Sequence, residues 1–265
     1  MIADPLNPPL KWAGGKRWLV PVLTEIYNDH RNRRYVEPFC GGLAIALGLR
    51  PRIAYLNDIN PHLINFYRQV KLHGLALHGR TTNVIMKYDS ELYYRNRDRF
   101  NKIKDRSDCA REAAELFYYL NRTCFNGLCR FNSKGGFNVP FGQYTTVNYA
   151  DGFIEHQKAF KSWSFTDNDF DRMTIEEDDF IYADPPYDVE FTTYSAGGFS
   201  WDDQLRLHNW LLKHRGPVVV SNQATPRVLE LYKPDFQVET MSAPRRISRT
   251  GDRTPALEML ATRNL

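Results

Sequence analysis

The sequence predicts an α/β protein: a Rossmann-like sheet with an inserted, mostly helical domain. Three observations carry that expectation. Two stretches alternate short apolar runs with amphipathic ones, as a sheet with covering helices requires. Between them lies a segment of different composition, rich in arginine, asparagine and phenylalanine. Each outer stretch also places an acidic residue directly after a strand, Asp58 in the first and Asp184 in the second. The 265 residues, 42% hydrophobic and 25% charged, are enough for a packed core in one large domain or two unequal ones.

Residues 35–39 (YVEPF) read as a short buried strand, followed by the turn Cys40-Gly41-Gly42 and a helix over 43–49. Residues 53–59 (IAYLNDI) read as a second strand ending in Asn57-Asp58. Pro61 suits the first turn of a helix running towards Leu72, where a missing N–H costs nothing. Strand, glycine turn, helix, strand and acidic residue make the plan of a Rossmann-like half. Residues 110–121 read as a helix, with Ala113, Ala114, Phe117 and Leu120 at helical spacing. The stretch NRTCFNGLCRFNSKGGFNVPFGQY has neither period and reads as a structured loop region, the kind that often carries function. Strands return at 164–166, 179–183 (DFIYA), 217–221 (PVVVS), 236–241 and 257–262, with helices at 202–214 and 225–232.

Several classes are excluded. No apolar run approaches the roughly 20 residues that span a bilayer, and MIADPLNPPLKW lacks a signal-peptide layout. A cytoplasmic protein is expected. Four scattered cysteines, Cys40, Cys109, Cys124 and Cys129, make no disulfide scaffold and have no zinc-ligand spacing, so no metal is expected. The net charge is +4, yet residues 67–145 hold 14 Lys/Arg against 7 Asp/Glu, a net of +7 that leaves −3 for the remainder. A basic block in a near-neutral chain points either to a polyanion-binding surface or to a solvated helical face.

Asp184-Pro185-Pro186-Tyr187 is the sharpest local signal. It follows an apolar strand, at the end of a sheet where ligands of open α/β folds bind. The prolines fix the backbone and remove two donors, leaving carbonyls as acceptors. An adjacent carboxylate and a flat ring complete a site for a planar aromatic amine. The turn at Gly41-Gly42 allows close ligand approach, but without a Lys-Ser/Thr it is no phosphate loop. Asp58 is placed either to hold ribose hydroxyls or to cap the helix after it. In Lys11-Trp12-Ala13-Gly14-Gly15-Lys16 the glycines make a turn, Trp12 can pack on a ligand and Lys16 can pair with a carboxylate.

KWAGGK, EPFCGG, NDIN, a long insertion, DPPY and a VSN strand end, in this order, resemble the Dam-type DNA adenine methyltransferases over nearly the whole chain. The resemblance implies a Rossmann-like methyltransferase sheet formed by residues 1–60 and 146–265, with a target-recognition, DNA-binding domain at 61–145. It implies S-adenosylmethionine as methyl donor, S-adenosylhomocysteine as product, and the N6 amine of a flipped-out adenine in double-stranded DNA, usually in GATC, as acceptor. It implies a monomer, in a bacterial nucleoid or a phage-infected cell. By position, Trp12, Lys16, Phe39, Gly41 and Asp58 would line the donor pocket, with Asp169, Phe170 and Asp184 bordering it. Asp184, Pro185, Pro186 and Tyr187 would be the catalytic motif. Lys11, Phe125, Asn126, Leu128, Arg130, Pro140 and Tyr144 would face bases, and Arg122 and Asn132 phosphates. Two departures stand out. The family's F-x-G-x-G turn has Leu43 at its second glycine, which predicts a slightly reshaped loop, and Phe125 stands where close relatives often carry tyrosine.

The amine lone pair of adenine is delocalised into its ring. Hydrogen bonds to Asp184 and a Pro185 carbonyl would bias the nitrogen towards tetrahedral geometry, so positioning and electrostatics would do most of the catalysis. A target inside a duplex must be flipped out, and Phe125 could fill the vacated stack. At this level three alternatives stay open: methylation of another planar amide or amine, such as protein glutamine or RNA; methylation of cytosine N4; and DNA binding without catalysis. Arg130 could read a guanine bidentately or contact a phosphate.

Overall fold

The runs YVE, FIYA and VVVS are buried on both faces, which only interior strands of a covered sheet can be. The computed structural model describes residues 4–85, 89–150, 152–188, 198–243 and 256–265. In chain order the elements are α1 (Val20–Asn28), β1 (Tyr35–Glu37), α2 (Ala44–Leu49), β2 (Ala54–Asn57), α3 (Pro61–Ile85), α4 (Ser90–Ile103) and α5 (Ala110–Thr123). There follow α6 (Ile154–Phe160), β3 (Trp163–Thr166), β4 (Phe180–Ala183), α7 (Trp201–Leu212), β5 (Val218–Gln223), α8 (Pro226–Tyr232), β6 (Gln237–Ala243) and β7 (Ala256–Arg263).

The seven strands form one sheet in the order β3-β2-β1-β4-β5-β7-β6. The first five are parallel, and β7 runs antiparallel to both neighbours. This is the mixed α/β, Rossmann-like sheet the sequence predicts. Strand alternation divides the core. Tyr35, Phe180 and Tyr182 face one side, with α1, α2, α3 and α5. Val36, Ile181, Ala183, Val218 and Val220 face the other, with α7 and α8.

The expected strands and helices are present with ends shifted by a few residues. Helices α1, α4 and α6 lie beyond what the sequence analysis marked. Helix α3 runs well past Leu72 because it kinks rather than stops: Gly74 adopts φ 39°, and Gln157 occupies the space where a Cβ would sit, 2.2 Å from Gln157 Oε1. Helix α3 lies against α5, α6 and β3, so the insertion and the sheet share a continuous core. Local chemistry sets helix starts elsewhere. Ser200 and Asp203 form a capping box on α7, and Thr225 caps α8 ahead of Pro226. Among the described residues, no helix is long and apolar enough to cross a membrane.

Candidate active site

Strands β1 and β4 are neighbours, and chain order departs from them in opposite directions. Their carboxyl ends therefore open a crevice at a topological switch point. The turn after β1 is shaped for close approach. Gly41 takes φ 43°, and a Cβ there would stand 3.0 Å from Trp12 Nε1; a Cβ on Gly42 would stand 2.7 Å from Trp12 Cβ. Leu43 follows with φ 61° and ψ 27°. It thus takes the left-handed conformation that glycine favours, at a cost of about 1–2 kcal/mol. Its side chain is fully buried, which contributes about 1.5–3 kcal/mol and offsets that strain. The missing glycine is therefore accommodated without taking the backbone out of glycine's region.

Asp58 braces this turn. Its Oδ2 accepts the Gly41 N–H at 3.0 Å and its Oδ1 the Asn60 N–H at 2.9 Å. Tyr67 donates to the Gly41 carbonyl at 2.6 Å. The helix cap is Asn60, whose Oδ1 accepts from the His62 and Leu63 N–H groups. Asp58 therefore does not cap α3. The residue is half-buried, and its surroundings desolvate the carboxylate and push its pKa up to about 6 against the pull of two N–H donors.

At the end of β4, Asp184 Oδ1 accepts from Lys16 Nζ at 2.6 Å and from Ser221 Oγ at 3.0 Å. Ser221 in turn takes the Tyr182 hydroxyl at 2.7 Å. Among the described residues, none donates to Asp184 Oδ2 or to the Pro185 carbonyl. The Pro186 carbonyl is occupied: Gln204 donates to it at 2.9 Å and is itself held by Asn222. Lys16 also donates to the Tyr187 hydroxyl at 3.0 Å and lies 3.8 Å from Glu258 Oε2, while Tyr187 donates to Glu258. Burial alone would lower the Lys16 pKa. Asp184 first, then Tyr187 and Glu258, outweigh burial and raise it above the ordinary lysine value. Burial likewise raises the Tyr187 pKa, so its hydroxyl stays protonated. In this arrangement the Lys16 ammonium engages both ends of the Asp184-Pro185-Pro186-Tyr187 turn.

Asp169 and Phe170 form a wall nearby. Arg206 forks the Asp169 carboxylate with two bonds of 2.9 Å and lies 4.5 Å above the Phe170 ring. Phe170 packs on Phe39 at 5.4 Å, and Phe199 meets Phe39 edge-on at 5.5 Å.

The second group of expected residues gathers after α5. The Phe125 N–H bonds the Pro140 carbonyl at 2.9 Å, and Tyr144 donates to the Cys124 carbonyl at 2.8 Å. Lys11 Nζ lies 4.0 Å over the Tyr144 ring. Phe125 and Leu128 stand 50% and 38% exposed, apolar groups held out of the core beside Asn126, which takes φ 53°. Arg130 is exposed and braced by Asn138 through Nε at 2.9 Å. Asn132, exposed, closes its own turn, its Oδ1 accepting from the Lys134 and Gly136 N–H groups. Arg122 leans on the Asn148 carbonyl.

Residues 12–247 match the D12 class N6 adenine-specific DNA methyltransferase family. The chain belongs to that family. It is 38% identical over 256 residues to the type II methyltransferase M1.LlaDCHI of Lactococcus lactis subsp. cremoris, covering 91% of this chain and 89% of that protein. It is 36% identical over 269 residues to a DNA adenine methylase of Vibrio cholerae, covering 95% and 94%. It is 31% identical over 275 residues to the type II methyltransferase M.MjaIII of Methanocaldococcus jannaschii, covering 94% and 95%.

In this adenine-specific methyltransferase the structure draws together Trp12, Phe39, Gly41 and Asp58 at one strand end and Lys16, Asp184 and Tyr187 at the next. It also adds residues the sequence analysis did not name as site residues. Ser221 and Glu258 hold the side chains of Asp184 and Tyr187, Gln204 occupies the Pro186 carbonyl, and Asn121 bonds the backbone of Lys11. A polar residue ending an all-valine strand marked Ser221, and a lone carboxylate in an apolar strand marked Glu258.

Proposed function

We propose that the protein transfers the methyl group of S-adenosylmethionine to the N6 amine of an adenine flipped out of a short duplex DNA site, GATC being the site the resemblance implies. The observation that carries this reading is Asp184. Two donors on Oδ1 hold its carboxylate in one orientation, and Oδ2 is left, with the Pro185 carbonyl, to take the two hydrogens of a planar amine. Accepting both hydrogens returns electron density to nitrogen at the point where charge develops. Tyr187, anchored through its hydroxyl by Lys16 and Glu258, offers a fixed ring for the base to stack on. Lys16 serves the amine side by orienting Asp184.

The donor, when bound, supplies an electrophilic methyl group. The residues around the first strand end fit it. The Gly41 turn lets a ligand approach the backbone, Asp58 as a carboxylate accepts from ribose hydroxyls, and half-buried Phe39, backed by Phe170, offers an apolar face for a purine. Asp169 stays anionic, because Arg206 outweighs the effect of burial. We assign donor binding and chemistry to residues 1–60 and 146–265, and DNA recognition to residues 61–145. Exposed Phe125 is placed to fill the gap left by a flipped base, and Arg122 and Asn132 to meet phosphates. Plasmid DNA incubated with labelled donor and then mapped tests the reading. Label on adenine N6 at one short sequence is the expected result; label on cytosine N4, on RNA only, or nowhere overturns it.

A further inference from the structure

Asn121 is 2% exposed, and its side chain pairs with the backbone of a residue 110 positions away. Its Oδ1 accepts the Lys11 N–H at 2.9 Å, and its Nδ2 donates to the Lys11 carbonyl at 2.8 Å and to the Gly127 carbonyl at 3.3 Å. A buried amide costs stability unless its groups are bonded, and here every bond goes to the main chain of two loops. Lys11 is therefore gripped at both its N–H and its C=O, as a neighbouring strand would grip it. Its stem is confined as well: a Cβ on Gly127, which takes φ 64°, would stand 2.4 Å from Lys11 Cδ. The ammonium ends 4.0 Å over the Tyr144 ring. Directly after Lys11, the chain lays Trp12 on the Gly41-Gly42 turn and brings Lys16 to Asp184.

We propose that Asn121 is a positioning residue for sequence discrimination: it holds Lys11 so that the ammonium meets one base edge of the target. The inference rests on the reading of Lys11 as a DNA-facing residue. A lysine ammonium on a four-carbon stem is otherwise a mobile point charge. As such it binds phosphate of any sequence, whereas reading a base edge requires a head fixed in the groove. The Asn121 clamp supplies that fixity from the main chain outward. It also keeps the reading group in register with the donor turn one residue further on.

The test compares kcat/KM on the target duplex with kcat/KM on duplexes altered at single base pairs, for the wild type, Lys11→Ala, Asn121→Ala, Asn121→Asp and the double variant Lys11→Ala/Asn121→Ala. Lys11→Ala is expected to lower the target-to-altered ratio about fivefold to a hundredfold at one base pair. Asn121→Ala should lower the ratio at that same base pair by about threefold or more and add nothing further in the Lys11→Ala background. Asn121→Asp keeps the volume but sets an oxygen against the Lys11 and Gly127 carbonyls in place of the donor. It should lower the ratio at the same base pair at least as far as Asn121→Ala, and it carries the test if Asn121→Ala does not fold. Lower melting temperatures with an unchanged ratio would make Asn121 a packing residue and overturn the inference, as would additive losses in the double variant. An unchanged ratio in Lys11→Ala would instead remove the DNA-facing reading of Lys11, and the inference with it.

Discussion

At the ends of β1 and β4 the polar side chains are already paired. Lys16 is 4% exposed and spends its ammonium on Asp184 and Tyr187; Asp58 spends both oxygens on backbone N–H groups. From 124 to 144 the reverse holds: Phe125 is 50% exposed, and Asn126 and Arg130 reach into solvent from a frame of backbone bonds. On the proposed function, the difference follows from what each region meets. Chemistry needs charges fixed before the substrate arrives, because reorientation at the moment of reaction raises the barrier. Recognition of a duplex needs groups whose partners lie on the other molecule, exposed on a rigid base.

Removing the centre of the pre-paired region should have the largest effect. Asp184→Ala is expected to lower turnover about a thousandfold or more, while donor affinity stays within about tenfold. Single-turnover methylation and donor titration separate the two; lost donor binding with turnover per bound complex unchanged would contradict the assignment. Lys16→Ala leaves Asp184 and Glu258 without their shared cation. Breaking a buried ion pair in this way costs about 3–5 kcal/mol, readable by denaturant unfolding. Weakened donor affinity with stability intact would instead return Lys16 to the donor's carboxylate.

On the exposed side the effects should be smaller and depend on sequence. Arg130→Ala should cost about 1–3 kcal/mol on the target and relax preference at one guanine. A uniform loss on every duplex, with the salt dependence flattened by about one unit, would make Arg130 a backbone anchor. The smallest effect concerns pH. Asp58 has a raised pKa of about 6, so the folded protein holds this proton more tightly than the unfolded chain. Its contribution to stability is present below the ordinary aspartate range and is lost as pH rises through about 6. Donor affinity should move the other way, because the ribose acceptor is the carboxylate: a rise of up to about tenfold from pH 5 to 7, absent in Asp58→Asn, measured by donor titration.

The sheet and the turn after β4 are legible because few arrangements other than a buried strand and a sharp ligand-facing turn explain FIYA followed by Asp184-Pro185-Pro186. Helix α4 is not, since only Tyr93, Phe100 and Ile103 of its residues are buried and most of the rest is charged or polar. Helix α6 buries only His156 and Phe160, too few for a period to show. Gly74 was visible as a glycine, but the Gln157 side chain that fills its kink comes from a distant helix. The same holds for the site. Lys16 was singled out, yet its partner lies 168 residues away, and no spacing rule reaches that far. Asn121 looks like an ordinary helix end until the backbone of Lys11 is laid beside it.

The pairing of β1 with β4 carries a consequence for how the protein is made. It brings Arg34 to Asp179 across 145 residues, so the central edge of β1 has no partner until the insertion, β3 and β4 have emerged. At ribosomal rates of 5–20 residues per second, that wait lasts roughly 7 to 30 seconds. During it, β1 and β2 present an open strand edge, the feature that templates aggregation. The local packing of α3 against α5 and of α4 against α5 can form in that interval and draw the long loop together, which leaves the β1–β4 pairing as the slow, non-local step. A chain cut short within the insertion would carry the Gly41-Gly42 turn and an unpaired edge, but neither Asp184 nor the strand that holds it.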